Sequence, residues 1–230
     1  MRKMLLSVIM LLVNAWVPFI SFGDPPVLER IEWSDTWVVN ANNQDLPRVL
    51  LVGDSIVKGY YGVVESALSG KANCARFATS AFMGNPDYLS ELEVLLKRYT
   101  FRVIHINNGL HGWGYSEEEY EKRLLPLMAL LKKHGKGAVL IWATTTPVRK
   151  SADLTHFSEK IARVKERNRI AAEFMINNGI EINDLCSLVE DHPEFHVADG
   201  VHFNSEGNAI LGECVVKVIS KHFAERGGCR

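Results

Sequence analysis

The chain has 230 residues, of which 47% are apolar and 23% are charged, and its formal net charge is −1. This length and composition predict one globular domain with a sizeable core. Lysine and arginine form no block long enough to follow a phosphate backbone, which argues against nucleic acid as a partner.

The first 23 residues, MRKMLLSVIMLLVNAWVPFISFG, have the pattern of a secretory signal peptide. Arg2 and Lys3 precede an apolar stretch, and the segment ends in small residues at Gly23. The alternative is an uncleaved membrane anchor, but Asn14 interrupts the apolar run well short of the roughly 20 residues that a span needs. We therefore expect cleavage after Gly23, a secreted or periplasmic product and no stable membrane insertion.

Residues 24–47 form a polar lead-in, which we expect to pack on a single main domain of residues 48–230. The lead-in contains Trp33 and Trp37, each close to acidic residues. Two exposed rings would suit an aromatic platform for carbohydrate. Large aromatic side chains are usually buried, so the favoured interpretation is a capping segment whose rings pack on the edge of a sheet.

Short apolar runs alternate with longer helical patterns from residue 48 onward. The predicted strands are RVLLVG (48–53), NCARFA (73–78), FRVIHIN (101–107), GAVLIWAT (137–144) and GIEIND (179–184). A helical pattern starts at Ser55, and apolar residues spaced by three and four predict helices over 87–99, 116–134, 158–178 and 204–223. The charged run EKIARVKERNR is typical of a solvated helix face. This alternation predicts right-handed crossovers and a parallel five-stranded sheet covered on both faces.

Polar residues follow several of these strands, where open α/β sheets bind ligands. Ser55 comes directly after the first strand, and Asp199 and His202 stand three residues apart before the last helix. A serine hydroxyl becomes a nucleophile when a histidine takes its proton and a carboxylate orients that histidine. An isolated Asp-Gly is usually a turn and a lone histidine is usually structural, but the combination favours a nucleophilic site.

The sequence here resembles the SGNH (GDSL-type) hydrolases. The blocks that carry the resemblance are the Gly53-Asp54-Ser55 turn, an asparagine-containing turn after the third strand, and the Asp199/His202 pair; it extends from about residue 48 to the end of the chain. It implies a flavodoxin-like three-layer α/β/α sandwich and acyl-ester hydrolysis with no metal or other cofactor. It also implies a catalytic triad of Ser55, His202 and Asp199.

The resemblance further implies an oxyanion hole with three donors, one of them the Ser55 N–H. The third block in many relatives reads Gly-x-Asn-Asp, whereas this sequence reads HINNGLHGW. This alignment favours Asn108 as the side-chain donor, with Asn107 as the alternative by a slip of one residue. For the backbone donor after the second strand, Gly84 is the only glycine in TSAFMGN, while Ser80 is closer to the expected spacing.

Further polar and aromatic residues fall on the predicted rim. The candidates for substrate binding are Asp54, His111, Trp113, Thr146 and Arg149. The Trp113 ring would offer a face to a sugar. The alternative for Arg149 and for the adjacent threonines Thr145 and Thr146 is that they satisfy loop carbonyls, because loops perform both tasks.

Together with the signal-peptide pattern, the resemblance implies a secreted serine esterase that hydrolyses small acyl esters, and we expect acetyl esters of carbohydrate to be its substrates. The near-neutral charge and the predicted export favour a polysaccharide ester over lipid, and no lid or lipid-binding segment is evident. The alternatives are a lipid-directed esterase or lysophospholipase, and a catalytically silent carbohydrate-binding protein of the same fold. The four cysteines, Cys74, Cys186, Cys214 and Cys229, follow no disulfide framework or metal-ligand spacing. Their pairing and the oligomeric state stay open.

Overall fold

The computed structural model describes residues 27–223, so the predicted signal peptide and Cys229 lie outside the described part. The strands are β1 (Ser34–Val38), β2 (Arg48–Gly53), β3 (Asn73–Thr79), β4 (Val103–Ile106), β5 (Val139–Ala143), β6 (Arg149–Lys150), β7 (Asp153–Phe157) and β8 (Glu181–Asn183). The α-helices are α1 (Ser55–Ala67), α2 (Pro86–Arg98), α3 (Glu117–His134), α4 (Ile161–Asn177), α5 (Leu185–Val189) and α6 (Ser205–Ser220). No helix within the described range has the length and apolar character of a bilayer span.

The main sheet has six strands in the order β1-β3-β2-β4-β5-β8. Five of them are parallel, and these are the five strands that the sequence predicts. The run Val49–Val52 on β2 has no exposed surface, as expected for a strand that is covered on both faces. Helices α1, α5 and α6 lie on one face, and α2, α3 and most of α4 lie on the other. The predicted three-layer sandwich is therefore confirmed.

The sixth strand corrects the predicted strand count. β1 comes from the lead-in and pairs antiparallel with β3 at the edge of the sheet. Its residues SDTWV are mostly exposed, so β1 lacks the apolar run that marks the other strands. Trp37 is 55% exposed on this strand, which contradicts the expectation that its ring packs on the sheet edge. Trp33 is half-buried, with the Lys58 ammonium 4.9 Å from its ring centroid.

Helix α4 contains a second departure from the sequence prediction. The run EKIARVKERNR does not form a fully solvated face, because Arg167 within it has no exposed surface. Arg169, two residues further on, behaves as predicted and pairs with Glu166 and Glu173 on the exposed side of the helix. A hairpin of β6 and β7 also precedes α4, where the sequence analysis predicted no strand.

Helices α1 and α6 pack closely against each other on one face of the sheet. A Cβ atom at Gly212 would lie 2.7 Å from Val63 Cβ and 3.4 Å from the Tyr60 carbonyl oxygen. The absence of a side chain at Gly212 therefore allows the two helices to approach. This contact fixes the position of Ser55, at the start of α1, relative to the loop that leads into α6.

A buried polar group lies beneath these helices. His105 on β4 has no exposed surface, and its Nε2 accepts a hydrogen bond from Asn183 Nδ2 at 3.0 Å. Asn183 Oδ1 in turn accepts from Cys214 Sγ at 3.2 Å. Burial lowers the pKa of His105 to about 3, so the folded protein holds this imidazole neutral. Cys74, Cys186 and Cys214 form no disulfide within residues 27–223.

The buried imidazole predicts a loss of stability in mild acid. The unfolded chain binds a proton at His105 as the pH falls through about 6.5, whereas the folded chain takes none until about pH 3. Between these values, the free energy of unfolding should fall by up to about 1.4 kcal/mol per pH unit because of this group. Urea unfolding of the wild type and of His105→Gln across this range measures the effect. Parallel pH dependences in the two proteins would contradict it.

Candidate active site

The turn from β2 into α1 places Ser55 at the carboxyl edge of the sheet. Asp54 caps the helix, because its side chain accepts a hydrogen bond from the Ile56 N–H at 2.9 Å. Ser55 is the first residue of α1, where a backbone N–H has no acceptor inside the helix. The hydroxyl and the N–H of Ser55 are therefore both available at the start of the helix.

The structure brings Ser55, His202 and Asp199 together. The Ser55 Oγ lies 2.8 Å from His202 Nε2, and His202 Nδ1 lies 2.6 Å from Asp199 Oδ2. A carboxylate accepts from Nδ1–H, so the Nε2 atom is left as an acceptor for the serine hydroxyl. The His202 and Asp199 side chains are 46% and 48% exposed, so this arrangement is open to solvent.

The Asp199 carboxylate is held by its own loop as well as by the imidazole. Its Oδ1 accepts from the Val201 and His202 N–H groups at 2.8 and 2.9 Å. Burial raises the pKa of Asp199, but the hydrogen bonds from the His202 side chain and the two backbone N–H groups outweigh that effect and lower it. Gly200 has φ +74°, and a Cβ there would meet the Arg149 carbonyl oxygen at 2.3 Å. This tight turn therefore requires glycine.

The two asparagines after β4 point in different directions. Asn107 Nδ2 donates to the Ala143 carbonyl at 2.7 Å and to Thr145 Oγ1 at 3.2 Å. Both of its amide hydrogens are therefore engaged. Asn108 faces the loop after β3, where its Nδ2 donates to the Ala81 carbonyl at 3.3 Å and its Oδ1 accepts from the Met83 N–H at 3.4 Å. One amide hydrogen of Asn108 remains for another acceptor.

The loop after β3 narrows the choice of backbone donor. The Ser80 N–H donates to the Trp33 carbonyl at 3.1 Å, and the Ser80 hydroxyl donates to Glu32 Oε2 at 2.8 Å. Ser80 is 1% exposed. Its N–H is therefore already used, which counts against Ser80 as an oxyanion donor. The Gly84 N–H donates to no other group in the range 27–223, so Gly84 stays the prediction for this position.

Three of the predicted substrate-binding residues are turned into the protein. Asp54 is 3% exposed and serves as the cap of α1, and Thr146 is also 3% exposed. Arg149 is 4% exposed and donates to the carbonyls of Leu154, at 2.9 Å, and of Glu190. These placements favour the alternative that Arg149 satisfies loop carbonyls. They correct the expectation that Asp54, Thr146 and Arg149 face a substrate.

Trp113 and His111 remain partly exposed on the rim. Three cations of the α4 region, Lys160, Arg163 and Arg167, lie 4.7 to 5.4 Å from the Trp113 ring centroid. The ring therefore packs against α4, which leaves it less suited to a sugar. Burial raises the pKa of Asp54, and interaction with the His111 and His202 imidazoles offsets only part of that effect.

Two polar residues that the sequence analysis did not identify support the loop around His111. Arg167 donates to three backbone carbonyls of this loop, and Glu29 of the lead-in accepts from the Gly112 N–H at 2.9 Å. Neither residue belongs to a motif, and Arg167 lies in a charged run of ordinary composition. A periodicity analysis of α4 would have found it, because positions 164, 167, 170 and 171 share the buried face.

A cavity lies far from these residues. It has a volume of about 560 Å³ and is lined by the segments that lead into β2, β4 and β5, at the amino edge of the sheet. The candidate site lies at the opposite edge. No group of three or more metal-ligating side chains occurs within residues 27–223.

No protein-family model and no curated protein sequence matches the chain. Solved structures match its fold. A carbohydrate acetylesterase family member from Sinorhizobium meliloti matches with a TM-score of 0.62 at 17% identity, covering 77% of this chain and 99% of that chain. A lipase/acylhydrolase from Enterococcus faecalis matches with a TM-score of 0.60 at 20% identity, covering 76% and 96%. An acetylxylan esterase from Geobacillus stearothermophilus matches with a TM-score of 0.61 at 15% identity, covering 77% and 94%.

At these identities the likeness establishes the fold. One further matching structure is described as a member of the lipolytic protein G-D-S-L family, and another as "a putative SGNH hydrolase". The fold predicted from the resemblance to the SGNH hydrolases is therefore confirmed.

The positions of the two asparagines predict different effects on catalysis. Asn108→Ala should lower kcat on the order of 10²–10³-fold with little change in KM, because an oxyanion donor acts in the transition state. Asn107→Ala is the matched control. It should lower the free energy of unfolding and leave kcat nearly unchanged, because the hydrogen bonds of the Asn107 side chain lie inside the fold. Steady-state kinetics on an activated acetyl ester measures both. A large kcat loss confined to the Asn107 variant would place the donor one residue earlier.

Proposed function

We propose that this protein is a secreted serine esterase of the SGNH type that removes acetyl groups from carbohydrate. The observation that carries the proposal is the chain of contacts from Asp199 through His202 to Ser55, at 2.6 and 2.8 Å. The segment that would direct export, residues 1–23, lies outside the described part of the chain. Export is therefore proposed from sequence alone.

In the first half-reaction, the Ser55 Oγ attacks the acyl carbon while His202 Nε2 takes the hydroxyl proton. The Asp199 carboxylate stabilises the imidazolium that forms. The tetrahedral oxyanion accepts hydrogen bonds from the Ser55 N–H, and from the Asn108 amide and the Gly84 N–H as predicted. Collapse expels the alcohol, which receives the proton from His202 and leaves an acyl-serine.

In the second half-reaction, water attacks the acyl-serine and gives a proton to His202 Nε2. The same donors stabilise the second oxyanion. Breakage of the bond between the acyl carbon and Ser55 Oγ releases the carboxylic acid, and the proton on His202 returns to the serine. The site is restored without any external co-reactant other than water.

The choice of a carbohydrate ester has two supports. The triad histidine and aspartate are about half exposed, so an ester on a bulky alcohol can approach Ser55 along the rim. Two of the structures that share the fold are described as a carbohydrate acetylesterase family member and an acetylxylan esterase. Another is described as a lipase/acylhydrolase, so the substrate must be decided by measurement.

Ser55→Ala should abolish turnover and leave the fold intact, because the hydroxyl forms the covalent intermediate. The loss should reach several orders of magnitude. Ser205→Ala is a matched control, since Ser205 is likewise the first residue of a helix, α6. A fluorophosphonate probe should label the wild type and the Ser205 variant but not the Ser55 variant. No labelling of the wild type at any pH between about 7 and 9, where an ordinary histidine is neutral, would favour a silent carbohydrate-binding protein.

Acyl-chain preference tests the substrate. Turnover of p-nitrophenyl esters should be fastest for acetate and should fall as the acyl chain lengthens. Acetate release from a panel of acetylated polysaccharides should then identify the alcohol. A preference for long chains would replace this proposal with a lipid-directed esterase or lysophospholipase.

A further inference from the structure

One buried cation holds the loop of residues 109–113, which follows β4 at the candidate site. The Arg167 guanidinium has no exposed surface. It donates to the carbonyls of Gly109 at 3.0 Å, His111 at 2.7 Å and Gly112 at 3.0 Å. A loop leaves such carbonyls without secondary-structure partners, and the five N–H donors of a guanidinium can satisfy several of them at once.

Burying this charge is costly, so its surroundings must compensate. The Glu117 carboxylate lies 3.3 Å from Arg167 Nε, and the rings of Trp113 and Tyr120 lie 4.8 and 5.3 Å from the guanidinium. Burial lowers the pKa of Arg167, but an arginine keeps its proton in proteins. Its three carbonyl bonds are therefore charge-assisted, and they leave the loop backbone little freedom.

The opposite side of the same loop is held by the lead-in. Glu29 Oε1 accepts from the Gly112 N–H at 2.9 Å and lies 3.6 Å from His111 Nδ1. The backbone of His111 is thus fixed by Arg167 on one side and its ring is approached by Glu29 on the other. The loop starts beside the turn that carries Ser55, because β4 pairs with β2 and the Asn107 N–H donates to the Val52 carbonyl at 2.9 Å.

We propose that Arg167 is a positioning residue of the esterase site, which holds loop 109–113 so that His111 contacts the bound ester beside Ser55. The proposal rests on the proposed function and assigns a role to a residue outside the motif blocks. Arg167 touches no reacting atom in this account, and it acts through His111.

Arg163 provides a control on the same helix. It lies one turn before Arg167 and donates to the carbonyls of Trp113, at 2.7 Å, and of Tyr115. It also pairs with Glu117 at 2.6 Å. Arg163 therefore binds the last residue of the loop and the chain after it, and its loss should displace His111 less than the loss of Arg167 does.

The test compares Arg167→Met, Arg167→Lys and Arg163→Met, each assayed where circular dichroism shows it to be folded. Arg167→Met should lower kcat on p-nitrophenyl acetate on the order of 10- to 100-fold, as expected for a misplaced contact group, with little change in KM. Arg167→Lys should recover part of the loss. Arg163→Met should lower kcat much less than Arg167→Met does. If Arg167→Met does not fold, the lysine variant alone decides: a lowered kcat supports the proposal, and an unchanged one overturns it.

A double-mutant cycle tests whether Arg167 acts through His111. His111→Ala should reproduce the kcat loss of Arg167→Met, and the double variant should lose little more. Additive losses, or a loss in Arg163→Met as large as that in Arg167→Met, would show that Arg167 only stabilises the fold. If either result is found while the wild type is active and its Ser55 is labelled, the role of Arg167 is wrong and the proposed function stands. A wild type with no turnover and no labelling overturns the proposed function together with the inference.

Discussion

The packing of α1 against α6 is the contact on which the candidate site depends. Ser55 begins α1, and His202 stands just before α6, 147 residues later in the chain. The two side chains meet because the helices approach closely enough at Gly212 for the start of one to face the start of the other. A side chain at Gly212 would separate the helices and lengthen the contact between the hydroxyl and the imidazole.

Buried arginines hold the loops on both sides of this contact. Arg149 donates to the carbonyls of Leu154 and Glu190, and its own N–H donates to the Gly200 carbonyl in the aspartate loop at 2.7 Å. Arg167 does the same for the loop after β4. The His202 and Asp199 side chains are about half exposed, whereas the arginines that fix the neighbouring loops are buried, where a charge-assisted hydrogen bond is stronger than at the surface. An open site can in this way keep a defined geometry.

Much of this arrangement could be predicted from the sequence, because it depends on signals that lie close together in the chain. The apolar run of 48–53, the helix cap at Asp54 and the spacing of Asp199 and His202 each need only a few residues to recognise. β1 could not be predicted in the same way, since an exposed edge strand has no apolar pattern. Arg167 was missed because a charge is assigned to the surface unless its partners are known, and its partners are carbonyls some 55 to 58 residues away.

The lead-in also determines which donors are left for an oxyanion. A backbone N–H donates well to only one acceptor, and the Ser80 N–H already donates to the Trp33 carbonyl. The Glu32 carboxylate accepts a hydrogen bond from the Ser80 hydroxyl. The hydrogen bonds from Ser80 to the lead-in therefore count against the donor role that its spacing in the sequence favoured. The Gly84 N–H donates to no group within residues 27–223, so it stays available as the predicted backbone donor. Segments 27–38 and 48–223 thus build one site, although only the second contains the motif residues.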